Sequence, residues 1–184
     1  PWKFPQAADL PAIEVKFKTE LAHGEEKFQP YLRDEKLARP WVVPGAPGLE
    51  HRIGGLEKQN ITGNISYDSD NHQLMVKIRQ EKVDKIANYI PEQQLDSGPA
   101  KGKVLVIGWG SSYGAIKTAC DELQGQGHAV SHAHLRYVRP FPKNLGDIIK
   151  NFETVLVPEL NNGQLVKILR DQYFVDAKAY NKIM

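Results

Sequence analysis

The spacing of apolar positions changes along the chain, and the change falls near residue 100. Before that point only one stretch keeps a period. Leu74, Ile78, Val83, Ile86 and Ile90 recur at near-helical spacing, with Lys77, Arg79, Lys82 and Lys85 falling largely elsewhere. That pattern predicts one amphipathic helix over about 71–90, with Asp70 as N-cap, Gln73 completing a capping box and Pro91 ending it. Ile13–Phe17 reads as a short edge strand. After residue 100 the period alternates. Apolar runs at Val104–Ile107, Ala129–Leu135, Thr154–Pro158 and Phe174–Ala179 predict strands. Between them lie helical stripes: Ile116, Ala119, Cys120 and Leu123; then Leu145, Ile148, Ile149 and Phe152; then Leu165, Ile168 and Leu169. Repeated strand and helix at this spacing implies right-handed crossovers and helices on both faces of a sheet. The predicted fold is α/β, a three-layer α/β/α domain with a mainly parallel sheet over 98–184. An extended, loop-rich connector over 1–97, carrying the one amphipathic helix, precedes it.

Proline and glycine sharpen this division. Pro1, Pro5, Pro11, Pro30, Pro40, Pro44 and Pro47 each fix φ and remove a donor, so the first stretch is expected to run extended. Gly45, Gly48, Gly54, Gly55 and Gly63 exclude a regular helix over 43–63. A loop that long is usually functional or serves a neighbouring domain. Glu92–Gly102, with Asp96-Ser97-Gly98-Pro99, reads as a linker. Gly125 and Gly127 suit a helix C-terminus, Asn144 an N-cap, and Asn161 or Asn162 another.

Composition removes several classes of function. A formal net charge of +2 gives no basis for nucleic acid or an anionic membrane as partner. No apolar run approaches the ~20 residues of a membrane-spanning helix. The one cysteine, Cys120, allows no disulfide framework and no thiolate cluster within the chain, which suits a reducing cytoplasm. The start at Pro1-Trp2 and the stop at Ile183-Met184 read as the ends of a piece of a longer protein.

Candidate chemistry falls in three places. Strand, Gly108-Trp109-Gly110 and a helix opening near Ser112 place backbone amides where α/β proteins hold anions, so Gly110, Ser111 and Ser112 are anion-binding candidates. As a dinucleotide fingerprint the stretch is incomplete. Tyr113 stands where the last glycine belongs and is expected to obstruct helix against strand, Gly114 comes one residue late, and no acid ends the next strand. The plainest reading is a simple strand–helix corner; an independent nucleotide- or anion-binding module using Gly108–Gly114 is the alternative. His132 and His134 share a face of one strand but lack a third ligand, so core or interface histidines are favoured over a metal site. In Glu50-His51-Arg52, between glycine turns, a guanidinium and an imidazole could close over an anionic substrate, against the plainer reading of a solvated loop tip.

Several stretches together resemble the alpha subunits of 2-oxoacid:ferredoxin oxidoreductases, especially those acting on 2-oxoglutarate. They are PWKFP (1–5), PGLEHRIGGLEK (47–58), TGNISYD (62–68), NHQLM (71–75), VLVIGWGSSYGAI (104–116), HAHLRYVRPFPKNL (132–145) and VLVPELNNGQL (155–165), with YNKIM at the end. The resemblance implies a transketolase C-terminal-like domain at 98–184. It also implies a parent complex that decarboxylates a 2-oxoacid oxidatively with thiamine diphosphate, Mg and iron–sulfur chemistry. In such a complex the acyl group passes to coenzyme A and electrons to ferredoxin, with a beta subunit as partner. The resemblance places the cofactors elsewhere in the complex, so none is expected on this fragment, which should be silent alone and serve assembly. Gly146-Asp147 and Asn161-Asn162 imitate a diphosphate motif without its second glycine or its spacing. His51 and Arg52 are the substrate-proximal candidates, and no residue is assigned a catalytic role.

Overall fold

The computed structural model describes residues 4–183; the terminal Pro1-Trp2-Lys3 and Met184, which belong to two of the resembling stretches, lie outside the described residues. The chain forms two compact units, one up to Lys82 and one from Val83 on.

The first unit is built mostly from turns. β1 (Phe17–Lys18) and β2 (Trp41–Val42) pair in parallel, and β1 lies at the end of the stretch expected to be a strand. Its one long element is α1 (Ser69–Lys85), followed by a 3-10 turn over Ile86–Asn88. The helix begins earlier than its sequence signal, because the Asp68 carboxylate accepts the Asn71 N–H at 2.7 Å and so caps it in place of Asp70. The expected apolar stripe is not the buried one: Met75 is buried, whereas Leu74 is 42% and Ile86 44% exposed. The physical reason is a shortage of apolar partners. Among the described residues of this unit, Phe28, Pro30, Leu49 and Met75 are the buried apolar side chains, too few to cover a stripe of four turns.

The second unit runs β3 (Gly102–Trp109), α2 (Tyr113–Gly125), β4 (Val130–Leu135), α3 (Leu145–Lys150), β5 (Phe152–Glu159), α4 (Gln164–Tyr173) and β6 (Lys178–Asn181). The strands are all parallel, as the mainly parallel sheet expected from sequence implies, and lie in the order β4-β3-β5-β6. One face of the sheet, with Leu105, Ile107, Val155 and Val157, packs on Leu145 and Ile149 of α3 and on Leu165, Val166 and Leu169 of α4. On the other face, Val106 and Val130 pack on Ile116 and Cys120 of α2. This gives three layers with the main core on the side of α3 and α4.

Four local expectations change. The final strand begins at Lys178 rather than Phe174, because Phe174 ends α4 in a left-handed conformation (φ 51°) with its ring 95% exposed. Asn144 precedes α3 but does not cap it with its side chain; the amide instead pairs both ways with the Gln93 backbone, at 2.8 and 2.9 Å. Glu92–Gly102 is no free linker. Asp96 donates its N–H to the His132 carbonyl, Ser97 accepts from the His132 N–H, and the Ser131 hydroxyl reaches the Pro99 carbonyl, so the segment closes the outer edge of β4. Gly98 allows that approach: at φ +86°, a Cβ there would lie 2.4 Å from the Val130 carbonyl oxygen. Finally, Tyr113 does not obstruct α2. The close approach occurs at Gly108, where a Cβ would meet Ile116 Cδ1 at 2.5 Å, while Gly114 stands in open space.

Candidate functional site

In a parallel sheet of this order the chain leaves β3 in one direction to reach β4 and returns past it to β5. The connections leaving the adjacent carboxyl ends of β3 and β5 therefore run to opposite faces of the sheet, which is where open α/β sheets place their ligand crevices. Such a crevice is present, about 190 Å³, lined by Trp109, Gly110, Ser111 and Ser112 on one side and Pro158, Glu159, Leu160 and Asn161 on the other. Gly110–Ser112 form a 3-10 turn leading into α2, so all three anion candidates line one wall. Gly110 takes φ +60°, a conformation that favours glycine, and the Ser112 hydroxyl donates to the Trp109 carbonyl at 2.8 Å.

The opposite wall carries its own anion. Glu159, 3% exposed, accepts the Leu165 N–H at 2.8 Å and the Val166 N–H at 3.1 Å, and the Trp109 indole N–H and the Asn161 amide also donate to it. It fills the amino end of α4, where orphan amides and the helix dipole favour negative charge. Asn161 adds the cap proper, accepting from the N–H groups of Gly163 and Gln164. The crevice thus sets the amino end of α2 beside a resident carboxylate, a combination that disfavours a second, highly charged anion. Asn161 spends its side-chain oxygen as a helix cap, and Asp147 is a largely exposed partner of Lys150, so neither is arranged as a diphosphate ligand.

The histidines form an aromatic cluster beneath α2. His132 is fully buried and His134 partly so, with the Tyr113 ring 5.7 and 4.9 Å from them. Neither ring nitrogen of His132 has a hydrogen-bond partner among the described residues, whereas His134 Nε2 meets the Gly110 carbonyl at 3.1 Å. Burial pushes both imidazoles below their ordinary pKa, so both are neutral near pH 7. No group of three or more His, Cys, Asp or Glu able to hold a metal occurs among the described residues. Burial also raises the Cys120 thiol, away from nucleophilic use.

The second candidate lies in the first unit, in the loop around His51 and Arg52. It is pinned from inside by three contacts. Lys58, 5% exposed, donates its ammonium to the carbonyls of Gly54 and Leu56; the Asn71 amide donates to the Lys58 carbonyl; and Glu57 meets His72 at 3.0 Å. His51 is anchored as well, Nδ1 being 2.8 Å from the Leu49 carbonyl and its ring standing edge-on to Phe28. Arg52 is exposed. The two candidates thus differ in their surroundings: the imidazole is engaged within the loop, and the guanidinium is exposed.

Sequence reasoning missed Glu159 and Lys58. Glu159 had a signal, since an acid five residues before a helix that follows Asn-Asn-Gly can fold back onto its first amides. Lys58 had none, because a buried lysine that ties carbonyls is indistinguishable in sequence from a solvated one.

Similarity to known proteins bears on both places. Residues 102–182 match the family described as pyruvate:ferredoxin oxidoreductase core domain II. Over 184 residues the chain is 48% identical to the 2-oxoglutarate oxidoreductase subunit KorA of Mycobacterium tuberculosis, covering all of this chain and 27% of the relative. It is 29% identical over 148 residues to the 2-oxoacid:ferredoxin oxidoreductase subunit alpha of Saccharolobus solfataricus, covering 77% of this chain and 23% of that one. Its structure resembles 2-oxoglutarate:ferredoxin oxidoreductase from Magnetococcus marinus, solved with 2-oxoglutarate, coenzyme A and succinyl-CoA bound, at a TM-score of 0.85 and 25% identity; the match covers 98% of this chain and 31% of that one. The chain spans about a quarter of the length of these sequence relatives.

Proposed function

We infer a function from the premise that this chain belongs to the 2-oxoacid:ferredoxin oxidoreductase alpha-subunit family, with the core domain II at residues 102–182. The parent protein oxidatively decarboxylates a 2-oxoacid, 2-oxoglutarate being the favoured substrate, transfers the acyl group to coenzyme A and passes electrons to ferredoxin. The observation that carries this reading is 48% identity to a 2-oxoglutarate oxidoreductase subunit over all 184 residues of this chain, a span that takes in the first unit as well as the sheet. Thiamine diphosphate, Mg and an iron–sulfur cluster would supply the carbanion and redox chemistry in the full complex. The described residues do not fit those groups: Asn161 and Asp147 are engaged elsewhere, and no metal-binding cluster is formed. This chain's work is therefore positional. The second unit is an assembly domain that docks against the beta subunit or neighbouring domains. The first unit holds Arg52 outward on a loop whose conformation is already set, ready for bidentate pairing with a substrate carboxylate at little entropic cost. His51 shapes that loop from within.

The crevice at Gly110–Ser112 supports a second, weaker reading as a small-ligand site, limited by the neighbouring Glu159 carboxylate. The first reading is tested by assaying the parent protein, assembled with its other subunits, for viologen reduction dependent on both 2-oxoglutarate and coenzyme A. Activity requiring both compounds is expected. No coenzyme A-dependent reduction with any 2-oxoacid would overturn the reading.

A further inference from the structure

The first unit holds a cavity that the proposed reaction leaves unused. It measures about 340 Å³ and is walled by the cations Lys18, Arg33 and Arg39 and by the apolar side chains Phe28, Leu32 and Pro40. That volume lies near the lower end of the roughly 300–1,000 Å³ of small-molecule sites, so it suits a small ligand. Two carboxylates line the cavity as well, and both are engaged. Glu25 pairs with Lys18 and accepts the Ala22 N–H at 2.8 Å, while Asp34 accepts the N–H groups of Lys36 and Ala38 at 2.9 and 2.8 Å. The arginines are held by neutral oxygens instead. Arg33 donates to the Tyr31 carbonyl at 3.1 Å and to Asn60 Oδ1 at 2.9 Å, and Arg39 donates Nε to the Pro30 carbonyl at 2.8 Å. Both guanidiniums lie over the Tyr31 ring, 5.4 and 3.8 Å from its centre, and neither is paired with a carboxylate among the described residues.

Two like charges set this close call for an anion. Burial first, and then the charges of Arg39 and Arg79, push the Arg33 guanidinium below its ordinary pKa, with Tyr31 opposing; it stays charged near pH 7 all the same. Arg33 is spent on internal acceptors and contributes charge. Arg39 is fixed at Nε, and its two terminal nitrogens meet no acceptor among the described residues. A guanidinium anchored in this way offers a planar fork for bidentate pairing at little entropic cost. The charge of the wall selects among anions. Three cations against two carboxylates leave an excess of one, which matches a monoanion, whereas the second charge of a phosphate would face Glu25 and Asp34 uncompensated. The apolar part of the wall calls for an apolar body, since Leu32 is 47% exposed as the cavity stands. We propose that this cavity binds a small monocarboxylate with an apolar body, the carboxylate on the terminal nitrogens of Arg39 near the Arg33 charge and the body on Phe28, Leu32 and Pro40. The site is separate from the loop around His51 but shares its frame: the Phe28 ring stands edge-on to His51, and Asn60, which Arg33 holds, donates its N–H to Asn71. The inference does not rest on the reaction assigned to the parent protein.

The test uses the assembled parent protein and phenylglyoxal, which modifies arginine, with the modified residues located by mass spectrometry of proteolytic peptides at constant ionic strength. Hexanoate should slow modification of Arg39 roughly fivefold or more at a concentration where acetate, which lacks the apolar body, and phosphate slow it roughly twofold at most. The exposed Arg136 should be modified at an unchanged rate. Leu32→Gln should reduce the effect of hexanoate to that of acetate. No slowing by hexanoate overturns the proposal, and so does equal slowing by hexanoate, acetate and phosphate, which any positive patch would give. Undiminished protection by hexanoate in Leu32→Gln overturns it as well. So does an Arg39 that resists modification with no acid added, because a neighbouring segment then fills the cavity. An assembly unable to oxidise 2-oxoglutarate that still shows the selective protection would remove the catalytic reading and leave this site standing.

Discussion

The two units reach order by different means. From Val83 on, the chain buries an apolar core between parallel strands and helices, and its polar contacts only finish the edges. Up to Lys82, a few buried apolar side chains are supplemented by a buried lysine on two carbonyls, an asparagine bridging loop and helix, and Arg33 reaching Asn60 and the Tyr31 carbonyl. Many of its large apolar groups stay outside: Phe4, Ile13 and Ile53 are 85% or more exposed, and Trp41 is 63% exposed. A unit of this kind can hold a loop's shape precisely where polar pins exist, but it has little burial to stabilise it. The second unit is therefore the better-packed of the two, and the first leaves most of its large apolar groups exposed.

The largest expected effects lie in the second unit. Leu105→Ala removes a fully buried side chain at the centre of the sheet and should cost about 2–5 kcal/mol in denaturant unfolding. Ile53→Ala, 86% exposed, should stay within about 0.5 kcal/mol in the same measurement. Equal losses would break the comparison. Next comes Gly98→Ala, which drives a Cβ into the Val130 carbonyl at a positive φ. It should cost about 1–3 kcal/mol and speed amide exchange along β4, whereas Gly55→Ala meets nothing and should change little. Glu159→Ala leaves the Leu165 and Val166 amides and the Trp109 indole without their acceptor and should cost about 1–3 kcal/mol, with a shift in Trp109 emission.

The smallest effect is one of pH. His132 and His134 have folded pKa values held below the ordinary 6.5 by burial, with Asp96 and Asp121 opposing and Lys117 and Arg136 reinforcing that direction. The unfolded chain then binds protons more readily than the folded one. Their contribution is complete above about pH 6.5 and is lost as the pH falls from there through the lower folded values. A melting series between pH 7.5 and 5 should show this slope in the native protein, and His132→Gln should flatten it.

How much of this was legible in sequence follows the same division. Parallel strands flanked by helices were readable, because buried runs such as Val104–Ile107 and Val155–Val157 have no other common use. The edge segment was not, since Asp96-Ser97-Gly98-Pro99 has turn composition, and only its tertiary hydrogen bonds to β4 show that it is fixed. The stripe on α1 was periodic, yet periodicity reports which residues could be buried together and not whether this chain supplies the partner. Among the site residues, Gly110–Ser112 were found by their place after a strand. The opposing Glu159 was missed because its partners are amides several residues later. His51 and Arg52 were flagged as a pair, and only contacts could show that one is spent inside the loop and the other presented outward.

In the proposed function, the loop around His51 presents Arg52 to a substrate carboxylate in the parent enzyme. Steady-state kinetics of the holoenzyme carrying Arg52→Ala test it most directly. The KM for 2-oxoglutarate should rise by roughly tenfold or more, with an unchanged KM for coenzyme A, an unchanged melting temperature, and partial recovery in Arg52→Lys. An unaltered KM for 2-oxoglutarate in the folded Arg52→Ala enzyme would contradict it.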